Sequence, residues 1–259
     1  MANLRDIKRR IGSVKNTQKI TRAMKMVAAS RLRRAQEAIV NARPYAYHMR
    51  TLVNSLALRA DPEAHPLLRP GGGGKVGIVL VTSDRGLCGG YNSALVNELI
   101  RQLQTTFVGR EVVITVVGRK GAENLRRRKV AVRKAFTNIG DMPRIQAATE
   151  IIGDLADFYA GQELDEVHCL YNEFKSAVQQ KVTLEKLLPF DPPDEAPVGG
   201  RAVDYVYEPS AGALLGELLV RNMRVQMHRI LSEAAASEYG ARMTAMDAAT
   251  RNAGDMIKA

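Results

Sequence analysis

The residues best placed for chemistry form one run, Thr82-Ser83-Asp84-Arg85-Gly86-Leu87-Cys88-Gly89-Gly90-Tyr91-Asn92, a glycine-rich turn between an apolar strand and a helix. In a nucleotide-binding fold, backbone amides at such a turn cradle a phosphate. The spacing departs from that chemistry. There is no Gly-x-Gly-x-x-Gly and no Gly-x-x-x-x-Gly-Lys-Ser/Thr, and Gly71–Gly74 with Lys75 also misses the phosphate-loop pattern. A tight turn or a protein-contact surface is the favoured reading, with nucleotide binding as the alternative. Cys88 near a helix start has the setting of a reactive thiolate. No histidine can be paired with it from sequence, so a buried, inert thiol is expected. His168 and Cys169 are adjacent in a strand pattern and should point to opposite faces. His48, His65 and His228 show no zinc spacing, and the acids form no paired or clustered set. No catalytic, metal or cofactor-binding residue is expected.

The elements that carry this turn read as α/β. Strands are expected at 76–81, 111–117, 129–136, 166–174 and 181–188, with helices at 92–107, 120–128 and 146–159. Their alternation implies a mainly parallel sheet. Residues 189–202, rich in Pro and Gly, form a surface loop. All ten prolines lie between Pro44 and Pro209, and the flanks show the strongest helical periodicity. Near the N-terminus the apolar positions are Leu4, Ile7, Ile11 and Val14. The pattern falters at Gln18 and Thr21, then resumes through Met24, Ala28, Leu32, Ala35, Ile39, Ala42, Ala46, Met49, Val53 and Leu56. These spacings of three and four, with a stutter near Leu32, describe a coiled-coil seam. Such a helix is on the order of 80 Å long, kinked but not ended by Pro44. The expected C-terminal seam is Leu219, Met223, Gln226, Ile230, Ala234, Ser237, Ala241, Thr244 and Ala248, shrinking so that a partner helix can come close. Gly12, Gly240 and Gly254 interrupt these helices at roughly 1 kcal/mol each relative to Ala, so packing must compensate. The expected fold is a long antiparallel coiled coil, from segments 1–58 and 209–259, with a Rossmann-like α/β domain, 75–190, inserted between them.

Charge narrows the function classes. The chain has 259 residues and a net charge of +11, and residues 1–34 hold eleven Lys/Arg against the single acid Asp6. The rest is close to neutral. A solvated face, nucleic-acid binding and docking in an acidic protein cavity are three readings of that basic end. Aromatics at 5% and the absence of Trp disfavour base stacking. Two cysteines build no disulfide framework and fit a reducing compartment. No apolar stretch approaches the roughly 20 residues of a membrane span, and Met1–Asp6 carries no signal core.

Four motifs in order resemble the γ subunit of F-type ATP synthase. They are the run from Leu4 to Ile11 continuing through Asn16-Thr17-Gln18-Lys19-Ile20-Thr21-Arg22-Ala23-Met24-Lys25 to Ser30, the turn Asp84–Asn92, Tyr205-Val206-Tyr207-Glu208-Pro209, and Ser237-Glu238-Tyr239-Gly240-Ala241-Arg242-Met243 through Ala253. The resemblance implies a non-catalytic central rotor shaft without cofactors. Its coiled coil would stand inside the ring of α and β subunits, its α/β domain on the ε subunit and the c-ring, coupling proton flow to ATP synthesis or hydrolysis. It implies contacts of Lys19, Arg22 and Lys25 with acidic β-subunit loops, and of Tyr205, Tyr207 and Glu208 with the c-ring or ε. It implies a peripheral position at the cytoplasmic face of a bacterial membrane, with no nucleic-acid partner. Members usually continue past the position of Ala259, which leaves open a further tip or a shorter shaft. Residues 189–204 lack the cysteine pair of the chloroplast form, so no thiol switch of that type is expected.

Overall fold

The structure is a computed structural model and describes residues 4–57, 65–68, 74–161, 164–190 and 211–258. Helix α1 is Leu4–Ala57 and helix α5 is Ala211–Lys258. Between them lie β1 (Lys75–Val81), α2 (Tyr91–Gln104), β2 (Glu111–Val117), α3 (Arg119–Arg127), β3 (Lys134–Phe136), α4 (Arg144–Ala160), β4 (Glu166–Phe174) and β5 (Gln180–Leu188). The sheet order is β3-β2-β1-β4-β5, parallel except for β5, which pairs antiparallel with β4. Strand β1 is therefore central and covered on both faces, which is why its apolar run is continuous rather than alternating. Val76, Ile78 and Leu80 pack with Leu95, Leu99 and Leu125 of α2 and α3. Val79 and Val81 face Ile151, Ile152 and Leu155 of α4, together with α5. Each such buried aliphatic side chain contributes about 1.5–3 kcal/mol.

The strand expected at 129–136 is a correction. Only Lys134–Phe136 joins the ladder, against Thr115–Val117. Lys129 has a left-handed φ of 58°, and the Val130 amide donates to the Leu125 carbonyl, so this stretch is still closing α3. Val130 and Val132 pack against the core without pairing. Helix α2 also ends earlier than expected, because the Phe107 amide turns back to the Gln102 carbonyl. His168 and Cys169 do point to opposite faces. The imidazole lies edge-on to Phe107, with its Nε2 3.1 Å from the Glu166 carboxylate, while Cys169 is buried among α4 and α5 side chains.

Helix α1 runs through Pro44 unbroken. Pro44 and Val40 are exposed, so the Val40 carbonyl deprived of its donor faces water. The two long helices pack antiparallel, as the pairs Thr21–Thr250, Lys25–Asp247 and Ala46–Gln226 require.

Candidate functional site

The seam between α1 and α5 changes character along its length. Met49, Val53 and Leu56 meet Leu219 and Met223 in the main core, and Leu32, Ala35 and Ile39 meet Ala236 further along. Beyond that the apolar pattern gives way to a polar layer. The Thr21 and Thr250 hydroxyls lie 2.8 Å apart, the Gln18 amide donates to the Thr250 carbonyl at 3.5 Å, and the Lys25 ammonium sits 2.6 Å from the Asp247 carboxylate. The faltering positions Gln18 and Thr21 are thus members of the seam, held by hydrogen bonds instead of apolar contact. A Cβ at Gly254 would come within 3.0 Å of the Gln18 amide nitrogen, so the glycine makes room for that layer. Thr244 is a second correction. It is exposed, and the buried positions nearby are Arg242, Met246 and Ala253, because α5 turns its packed face as it leaves the α/β domain. Leu4 and Ile7 are 67% and 45% exposed.

At its middle, α5 is buried on two sides, by α1 and by the sheet, which removes the one-sided pattern expected of a surface helix. Bonds from the α/β domain grip it there. The Tyr91 hydroxyl donates to the Ala234 carbonyl at 3.0 Å, and the Ser237 hydroxyl donates to the Asn172 carbonyl at 3.0 Å. Arg242 donates to the carbonyls of Arg85 and Gly86, both at 3.2 Å. Arg229 Nη2 donates to both Glu185 carboxylate oxygens, at 2.6 and 2.7 Å, and its Nη1 donates to the Tyr171 hydroxyl at 3.1 Å. That hydroxyl in turn donates to Glu185 at 2.8 Å. Burial raises the Tyr171 phenol, so it stays a donor, while the Glu185 carboxylate holds Arg229 charged against its own desolvation. Gly240 lets the β4–β5 turn approach, since a Cβ there would sit 2.8 Å from the Ala177 carbonyl oxygen.

The glycine-rich turn belongs to this grip. Cys88 is buried and its thiol is pushed up by desolvation, and the Asn92 amide lies 3.3 Å from Sγ. This is the setting of an inert thiol. The Asp84 carboxylate accepts from the backbone N–H groups of Arg119 at 3.0 Å and Asn138 at 2.9 Å. The amides that would seat a phosphate at the start of α3 are occupied by the protein's own Asp84 carboxylate, Ser83 carbonyl and Thr82 hydroxyl. Among the described residues, no group of three or more His, Cys, Asp and Glu could hold a metal ion.

Of the residues singled out for partner contact, Lys19 and Arg22 are exposed, whereas Lys25 is half-buried and paired with Asp247. Tyr205, Tyr207 and Glu208 lie outside the described residues. The joint residues Arg229, Glu185 and Tyr171 had no sequence signal beyond a charge inside an α5 repeat.

The family model described as ATP synthase matches residues 3–259. An ATP synthase gamma chain from Moorella thermoacetica is 48% identical over 257 residues, covering 99% of this chain and 89% of that one. The gamma chain from Trichlorobacter lovleyi is 45% identical over 260 residues, with the same coverage. The chain belongs to the ATP synthase gamma chain family. Among solved structures, the central stalk and c-ring assembly of the Tetrahymena thermophila mitochondrial ATP synthase contains a similar chain. Its TM-score is 0.69 at 26% identity, covering 89% of this chain and 99% of that one. The rotor of the Euglena gracilis enzyme shares the fold, with a TM-score of 0.68 at 19% identity over 98% of this chain and 93% of that one. Gamma chains are the non-catalytic stalk subunits of the synthase, and the internally satisfied turn agrees with that role.

Proposed function

We propose that this gamma chain is the central rotor shaft of an F-type ATP synthase. Its coiled coil stands within the ring of α and β subunits, and its α/β domain rests on the ε subunit and the c-ring. Ring rotation turns the shaft, and its asymmetric face biases each catalytic β subunit among its states in turn. In this reading, segments 1–58 and 209–259 form the shaft and 75–190 the foot. Proton flow through the membrane sector drives the rotation, and the complex lies peripherally at the cytoplasmic face of a bacterial membrane. Among the described residues, no helix is long and apolar enough to cross a membrane.

One observation supports the mechanical reading above all: the foot is fastened to α5 by Tyr91, Arg229, Ser237 and Arg242 in a largely buried interface. A foot that swivelled on its shaft would dissipate angle before it reached the catalytic sites. Lys19 and Arg22 are the charges free to meet acidic loops of the β subunits, while Lys25 serves first as a strut to Asp247. Tyr205, Tyr207 and Glu208 are assigned to the c-ring and ε.

Co-purification tests the assignment directly, with α, β and ε subunits expected to accompany the chain. In reconstituted vesicles, Lys19→Glu with Arg22→Glu should lower protons pumped per ATP hydrolysed. Unchanged pumping would remove those two residues from the mechanism. If Lys25 is a strut, the loss caused by Lys25→Glu should be restored by adding Asp247→Lys.

A further inference from the structure

A cavity of about 410 Å³ lies between the coiled coil and the carboxyl ends of β1 and β2. That volume suits a small molecule, whose sites span roughly 300–1,000 Å³. Its walls come from residues 81–85 and 117–119 of the sheet, from 138–144 leading into α4, from α5, and from Arg31 of α1. Open α/β sheets take ligands at this end of their strands, beside the strand where the order reverses, which is β1 here.

The electrostatics of the lining are one-sided. Five guanidinium groups, from Arg31, Arg85, Arg119, Arg144 and Arg242, face two carboxylates, Asp84 and Glu238. Both acids are already satisfied. Asp84 accepts from the Arg119 amide at the start of α3 and from the Asn138 amide beyond β3, and Glu238 lies 2.6 Å from Arg242. Among the described residues, neither Arg31 nor Arg144 has a hydrogen bond or a contact ion pair, although Arg31 is near enough to Glu238 to favour its charged form. Arg31 lies 5.9 Å from the ring centre of Tyr239, itself part of the wall.

We propose that this cavity binds a compact phosphate-type polyanion, held by Arg31 and Arg144. Guanidinium forks match phosphate oxygens in pairs, and a site closed on several sides strengthens each bond. The glycine-rich turn is not the seat, because its own carboxylate, Asp84, already accepts from the neighbouring Arg119 and Asn138 amides. The anion sits between arginines contributed by α1 and α4, against α5, and so ties the coil to the foot. Tyr239, over whose ring Arg31 lies, is an aromatic wall residue that a base would have to meet, which separates a nucleotide from a bare phosphate chain.

Calorimetric titration of the full chain with pyrophosphate, at constant ionic strength, tests the site. One saturable site is expected, weakened about tenfold or more by Arg31→Ala and by Arg144→Gln. Arg33→Ala, on α1 but outside the cavity, should leave it unchanged. Orthophosphate and ATP form the other arms. If ATP binds more tightly than pyrophosphate and Tyr239→Leu removes the difference, the ligand is a nucleotide, whereas equal binding identifies the phosphate chain alone. Absence of saturable binding by all three, or binding indifferent to both arginine variants, overturns the proposal. So does loss of pyrophosphate binding once the chain is assembled with α and β subunits, which would make an acidic segment of a neighbour the occupant. The rotor reading survives either failure.

Discussion

Arg229 and Glu233 sit one turn apart on α5 with opposite consequences. Arg229 donates to both oxygens of Glu185 and to Tyr171, so its loss leaves a mostly buried carboxylate held only by the Tyr171 hydroxyl, with Arg50 at 3.9 Å. Arg229→Ala is expected to destabilise the chain by about 3 kcal/mol, measured by urea unfolding. Glu233 is almost fully buried, has Arg229 at 3.5 Å and Arg43 at 3.9 Å, and leaves its Oε2 without a hydrogen bond. Burial, with Glu173 adding to it, raises its carboxyl above the ordinary 4.5 despite those two arginines. The folded state therefore holds this proton more tightly than the unfolded chain does. The stability from Glu233 is fully present below about pH 4.5 and is lost as pH rises through the raised folded value. Glu233→Gln should flatten the dependence of melting temperature on pH above about pH 4.5. Asp154 and Glu166, whose carboxyls are lowered by basic neighbours, act with the opposite sign, and only at more acid pH. An unaltered slope in the variant would show that Glu233 does not titrate in that window.

Among elements, the long helices show why a glycine's cost cannot be read from its position in the chain. At Gly240, an added Cβ would lie 2.8 Å from a backbone carbonyl in the β4–β5 turn. Gly240→Ala should therefore lose stability despite Ala's better helix propensity, and amide exchange at residues 174–180 should accelerate as the turn is pushed from α5. At Gly12, an added Cβ meets nothing within 4 Å. Gly12→Ala should stabilise by roughly 0.5–1 kcal/mol. A loss at both positions would mean that helix geometry, not close approach, sets the effect. The same contrast explains the sequence-level expectation for these residues. Periodicity identified both helices and their glycines, but only the neighbour across the interface separates a required glycine from a tolerated one.

For the whole molecule, the rotor reading requires α1 and α5 to move as one body joined to the foot. The Thr21 and Thr250 hydroxyls are 2.8 Å apart, so paired Thr21→Cys and Thr250→Cys substitutions should form a disulfide across the coil. ATP-driven rotation of the assembled enzyme should continue at the same rate after oxidation as after reduction. A stall that reduction relieves would show that the helices slide past one another during turnover. The two native thiols are buried and should not compete.

The two long helices, the parallel αβ alternation, the basic end and the family motifs were all legible in the chain alone. Each is carried by local spacing, composition or an ordered run of residues. The strand expected at 129–136 shrinks to a short β3 because alternating valines report packing and not pairing, and Val130 and Val132 are partly buried beside the sheet without joining it. What joins helix to helix, and coil to foot, needed the tertiary structure. Lys25 meets Asp247 across 222 positions, and Tyr91 meets Ala234 across 143. Periodicity tells a residue which face it occupies, whereas its partner is chosen only when the helices close on the sheet. For that reason Gln18 and Thr21 look like a break in the seam along the chain and become its polar layer in the fold.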